Sequence, residues 1–170
     1  AKKLQYGSHL QPRIVVKSLA CLALLKTISL KLSTQRFMVF HMPQLLPILE
    51  HFSDVDVLFG KPMPVSTVQH FYAMNQNCRQ ADIQWLIDSK ARLLQYLEVA
   101  KQFSLTLKIN IEIDVGLHRG GVRSDFALIE ILRLIEQNPE HLVFAGLMGY
   151  FSFTHSLNFI HYSDKNSFSK

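Results

Sequence analysis

Six short apolar runs rich in β-branched residues recur along the chain, and the segments between them repeat their apolar residues at helical spacing. No other feature constrains the fold as tightly, because this alternation is the signature of βαβ units and a parallel sheet. The runs are Arg13 to Lys17, Phe37 to His41, Asp56 to Gly60, Ile83 to Ile87, Leu105 to Asp114 and Leu142 to Met148. Leu19, Leu22, Leu25 and Ile28 share one helical face, as do Leu45, Ile48, Leu49 and Phe52, so each segment has one side to bury against a sheet. Ser89 and Ser124 stand where N-caps belong, ahead of Leu93, Leu94 and Leu97 and of Leu128, Ile129 and Leu132. Val65 to Met74 follows Pro62 and Pro64, which suit a loop and a helix entry, so the third strand must end by Lys61.

Strict alternation fits a doubly wound sheet or a (β/α)8 barrel. A doubly wound nucleotide-binding fold carries a glycine-rich first turn, whereas the first strand here runs into Val16-Lys17-Ser18-Leu19. The expectation is therefore an α/β chain of the parallel (β/α)8 TIM type, incomplete at about six βα units. At 170 residues and 48% hydrophobic content it is long enough for one sizeable core. Residues 1–150 are read as the partial barrel. Residues 151–170, FSFTHSLNFIHYSDKNSFSK, interleave serines and aromatics at no steady period and are read as a disordered or truncated tail.

The net charge of +5 comes from scattered lysines and arginines with no aromatic-basic stripe, which argues against nucleic-acid binding. Cys21 and Cys78 form no C-x-x-C motif and read as core-type thiols of a reducing, cytoplasmic protein. Lys17 and Lys26 interrupt the apolar stretch from Ile14 to Leu32 short of the roughly 20 residues a membrane span needs, so no membrane association is expected. The chain begins with Ala1, which fits processing, cloning or a fragment.

Function in parallel α/β folds sits at the C-terminal ends of strands. Polar residues there are Lys17, Lys61, the segment Asp114 to Arg119, and Gly149-Tyr150. A lysine so placed can form a Schiff base once burial or nearby positive charge favours its neutral form, but spacing does not choose between Lys17 and Lys61. The loop after strand five joins acidic groups, three glycines and Arg119, letting backbone approach a ligand while a permanent cation faces negative charge. Its bland alternative is a tight turn with a structural pair between Arg119 and Glu112 or Asp114. The eight histidines show no H-E-x-x-H and no zinc spacing with cysteine, so no metal site is assigned. No G-x-S-x-G elbow or P-loop is present.

Three segments in strand order, VVKS, EIDVGLHRGG and FAGLMGY, resemble the barrel domain of fold-type III pyridoxal-phosphate enzymes. The resemblance covers roughly residues 11 to 150 and is nearest to the D-threonine aldolase and D-serine dehydratase group, with alanine racemase more distant. It implies pyridoxal 5'-phosphate held as a Schiff base on Lys17, Arg119 beside the cofactor's phenolic oxygen, and Tyr150 toward its ring. The activity implied is aldol cleavage of D-threonine-like or dehydration of D-serine-like substrates, with racemisation or non-catalytic cofactor carriage as alternatives. Phe151-Ser152-Phe153-Thr154-His155 departs from the group's acidic-residue-then-histidine pattern. The last barrel strands and the C-terminal β domain have no counterpart in the sequence, so a divalent metal is expected only in a longer parent protein, itself expected to be a homodimer acting on a small amino acid. The chain alone is expected to be inactive.

Overall fold

The computed structural model describes residues 11–17 and 21–150. Six strands alternate with five helices: β1 (Ile14–Val15), α1 (Leu22–Leu32), β2 (Arg36–Val39), α2 (Met42–His51), β3 (Asp56–Phe59), α3 (Val65–Met74), β4 (Asp82–Ile87), α4 (Lys90–Phe103), β5 (Leu107–Ile113), α5 (Asp125–Glu136) and β6 (Leu142–Gly149), with a single 3-10 turn at Gln76–Cys78. The reading of residues 151–170 as a tail lies outside the described residues, as does Leu19.

The strands form one sheet in the order β1-β2-β3-β4-β5-β6, every neighbouring pair parallel. A doubly wound sheet reverses its strand order at a switch point; this one does not, and runs as an open arc of a barrel. The expected α/β class and the incomplete barrel are both what the chain forms.

Period-two alternation assigns the two faces. Phe37, Val39, Val57, Phe59, Ile83, Trp85, Ile87, Ile109 and Ile111 are buried and join Leu25, Leu45, Ile48, Val68, Phe71, Leu93 and Ile131 of the helices in one apolar cluster. Trp85 sits at its centre, stacked on Phe59 at 4.7 Å between ring centroids, and its indole N–H donates to the Tyr72 hydroxyl over 3.0 Å. That pairing satisfies the buried polar atoms of both rings.

The other face, toward the barrel interior, carries a polar belt that sequence reading did not foresee. Arg13 donates to both carboxylate oxygens of Asp56 at 2.8 and 2.7 Å, Gln84 Nε2 donates to Asp56 Oδ1 at 2.6 Å, and Asn110 Nδ2 donates to Gln84 Oε1 at 2.6 Å. The belt ties the start of β1 to β3, β4 and β5, with a bidentate arginine–carboxylate pair at its head.

Ser89 Oγ accepts from the Arg92 N–H and Ser124 Oγ from the Ala127 N–H, both at 3.3 Å, so the two predicted caps form. Two expectations need correction. The first strand is shorter than Arg13 to Lys17, because only Ile14 and Val15 find register partners on β2, at Phe37 and Met38; pairing continues only to the Val16 N–H, which donates to the Met38 carbonyl at 2.9 Å. Cys21 is an exposed thiol and not a core one, since it stands one residue ahead of α1, where the chain has not yet turned onto the sheet. Among the described residues no helix is long and apolar enough to cross a membrane.

Candidate active site

All four sequence-assigned positions fall at the C-terminal edge of the sheet. Lys17 follows β1, exposed, with Nζ 5.4 Å from the centroid of the Phe40 ring. Phe40 follows β2 and is buried. Its ring crosses to β3, where Gly60 leaves room for it: a Cβ on Gly60 would stand 2.6 Å from Phe40 Cε1. No larger residue fits there without displacing the ring.

Gly60 also offers its carbonyl to Arg119, whose Nη2 lies 3.4 Å away. The stronger anchor is Glu112, near the end of β5 and only 4% exposed. Its Oε1 accepts from Arg119 Nε at 2.9 Å and forms an ion pair with Nη2 at 2.8 Å. Tyr150, directly after β6, covers the guanidinium, with Arg119 Cζ 4.2 Å from the ring centroid. Arg119 and Tyr150 thus touch. Lys17 joins them through Phe40 and Gly60.

The loop that returns Arg119 over its own strand is held at both ends. Asp114 accepts the Gly116 and His118 N–H groups at 3.1 and 3.0 Å, lies 2.8 Å from His118 Nδ1, and pairs with Arg123 Nε at 2.8 Å. The His118 side-chain hydrogen bond, helped by those two backbone N–H groups, holds the Asp114 carboxyl well below the usual carboxylate range against the opposing effect of desolvation. At the far end the Val122 N–H donates to the Glu112 carbonyl at 2.8 Å and the Asp114 N–H to the Val122 carbonyl at 3.0 Å. Gly121 permits this closure: its φ is +94°, and a Cβ would meet Asp114 N and Glu112 O at 2.9 Å.

One alternative left open by the sequence is resolved in the geometry. Arg119 pairs with Glu112, while Asp114 pairs with Arg123. Lys61 follows Gly60, is exposed, and joins no hydrogen bond or ion pair among the described residues. Phe40 and Gly60 were not anticipated as site residues. The signal for Phe40 was available, an aromatic directly after a strand, but alternation does not say how far a ring reaches across a sheet.

The described residues thus form an ordered arc of parallel βα units with a lysine, an anchored arginine and aromatic rings on its C-terminal edge. The model of the alanine racemase N-terminal domain family matches residues 3–169, and the chain belongs to that family of fold-type III pyridoxal-phosphate barrels. No curated protein matches it. Solved structures of similar fold include alanine racemase from Oenococcus oeni (TM-score 0.68, 19% identity, 84% of this chain and 39% of that one). Histidine racemase from Leuconostoc mesenteroides is another (TM-score 0.72, 17% identity, 92% of this chain and 42% of that one). Alanine racemase from Clostridium difficile is a third (TM-score 0.71, 16% identity, 94% of this chain and 43% of that one). The chain spans about two-fifths of the length of these proteins. At such identities the likeness is one of fold, and the likeness to D-threonine aldolases and D-serine dehydratases rests on the sequence motifs alone.

The family implies pyridoxal phosphate, and the residues present fit its ring and aldehyde end. They supply a primary amine at a strand end, a guanidinium anchored on the same sheet edge, and two aromatic rings.

Proposed function

We propose that the chain is the cofactor-binding barrel segment of a pyridoxal-phosphate-dependent enzyme that acts at the Cα of a free amino acid, with racemisation the favoured reaction. The observation that carries this is the contiguous row Lys17, Phe40, Gly60, Arg119 and Tyr150 along one strand edge. Racemisation is favoured because the family and the similar folds are those of racemases.

Bound there, pyridoxal phosphate supplies an electron sink that weakens the bonds at the substrate Cα. Lys17 would hold the cofactor through its amine at the end of β1, and in its neutral form Nζ would serve as the proton carrier at Cα. Arg119 would hold the cofactor's phenolic oxygen, its fixed positive charge favouring the ionised form. Phe40 and Tyr150 flank the row with apolar surface, which keeps water from the transferred proton.

A second reading, a lyase for D-threonine-like or D-serine-like substrates, is supported by the EIDVGLHRGG and FAGLMGY segments. One assay separates the two. The full-length protein encoded with this chain is incubated with cofactor in D2O and with each enantiomer of alanine, serine and threonine, and products are followed by proton NMR. Exchange of the Cα proton with growth of the opposite enantiomer supports the racemase. Aldehyde with glycine, or a 2-oxo acid with ammonia, supports the lyase. Stoichiometric cofactor with neither outcome would overturn catalysis and leave a cofactor carrier.

A further inference from the structure

Resting on that cofactor site, we infer that Tyr96 of α4 is a positioning residue, whose hydroxyl clamps the segment after β3 and so fixes Gly60 at the middle of the row from Lys17 to Tyr150. The segment runs Gly60-Lys61-Pro62-Met63-Pro64 before α3 begins. It has little with which to hold itself. Pro62 and Pro64 bring no N–H, and the Gly60 N–H is taken by the Val39 carbonyl at 2.8 Å. Among the described residues the backbone of Lys61, Pro62 and Met63 has one hydrogen-bond partner, the Tyr96 hydroxyl. That hydroxyl accepts from the Met63 N–H at 3.0 Å and donates to the Met63 carbonyl at 2.9 Å.

Both ends of the clamp are buried, and the Tyr96 ring stands edge-on to Trp85 with 6.1 Å between centroids. Burial pushes the Tyr96 hydroxyl up to about 12, so it stays neutral at ordinary pH and can donate and accept at once. Two members of the row depend on where Gly60 stands. The Phe40 ring, beside Lys17 Nζ, lies where a Gly60 Cβ would be, and Arg119 Nη2 faces the Gly60 carbonyl at 3.4 Å. A displaced segment would therefore disturb the surroundings of the amine and of the guanidinium together, and small misplacements of this kind weigh more on a bound ligand than on the fold.

Tyr96→Phe tests this, because it keeps the ring and leaves the Met63 N–H and carbonyl buried without a partner. In the full-length protein, hydrogen exchange at the Met63 amide should quicken roughly tenfold relative to the amides of Ile109 and Ile111, the scale of one buried hydrogen bond. Affinity for pyridoxal phosphate should fall about three- to tenfold, and the visible circular dichroism of the bound cofactor, which reads its orientation, should change. Met63 exchange that quickens only in step with Ile109 and Ile111, or affinity and dichroism equal to those of the wild type, would make Tyr96 a packing residue and overturn the inference. Should the variant fail to fold, the wild type decides: a Met63 amide exchanging as fast as that of Lys61 would overturn the clamp, and one markedly slower would support it. A wild type with no borohydride-sensitive chromophore would instead overturn the cofactor site, with Met63 exchange still distinguishing a clamp from a packing residue.

Discussion

Strands β5 and β6 pair in parallel along their length with one register shift after Ile109, yet one is sealed and the other open. Ile109 and Ile111 on β5 are both 0% exposed, while the residues that pair with them on β6, Phe144 and Leu147, are 45% and 56% exposed. Both strands are apolar and both alternate. They differ in position: β5 is flanked by β4 and β6, whereas β6 is the last strand of the sheet, and among the described residues no helix follows it. A strand's sequence therefore states what it is built to bury, and its neighbours decide whether it does so. The site shows the same contrast, with Arg119 tied to the sealed β5 through Glu112 and covered by Tyr150 at the end of the open β6.

The sharpest way to break this comparison is to truncate equivalent residues on the two strands. Ile109→Ala should cost about 2–5 kcal/mol, as expected for a large side chain removed from a packed core. Leu147→Ala should cost under about 1 kcal/mol, because its side chain is largely in water already. Urea unfolding monitored through Trp85 fluorescence measures both. Equal losses would show that β6 is covered in solution by something beyond the described residues.

A smaller effect is expected where the loop closes back on β5. Gly121→Ala places a Cβ at φ +94° and 2.9 Å from two backbone atoms, so it should cost about 1–3 kcal/mol of local strain. Part of that cost should appear as displacement of Arg119, read as weaker cofactor binding at temperatures where the fold is intact. Full retention of cofactor affinity would mean that the loop does not set the position of Arg119.

Smallest is a dependence on acid. The folded Asp114 carboxyl is held below the usual carboxylate value, so the unfolded chain binds its proton first as pH falls. Its contribution to stability is complete above about pH 5 and is lost progressively on acidification through the usual value near 4 and below. Thermal melts of the wild type and Asp114→Asn at pH 7, 5 and 3.5 should converge toward low pH. A gap that stays constant across that range would remove the carboxylate from the explanation.

Much of this was legible in the sequence because the fold is written in local signals. Ser89 and Ser124 cap the helices they were expected to cap, and Pro64 precedes a helix that begins at Val65. Strand positions follow from alternation, and with them the placement of Lys17, Arg119 and Tyr150 at one edge. What stayed hidden depends on reach between strands. The belt from Arg13 through Asp56 and Gln84 to Asn110 joins polar residues of separate strands, and only the register brings their side chains together. Glu112 and Asp114 lie on the same face two residues apart, so sequence could not assign Arg119 to one of them; the loop closed by Val122 does that. Phe40 became a neighbour of Lys17 because Gly60, on another strand, has no side chain.

The central claim is that the amine at the end of β1 carries the cofactor, and it is tested most directly by trapping. The full-length protein is loaded with pyridoxal phosphate, reduced with borohydride, digested, and the modified peptide mapped by mass spectrometry. The account predicts a single phosphopyridoxyl adduct on Lys17, abolished in Lys17→Ala with the fold retained. An adduct on Lys61 with Lys17 unmodified would contradict it.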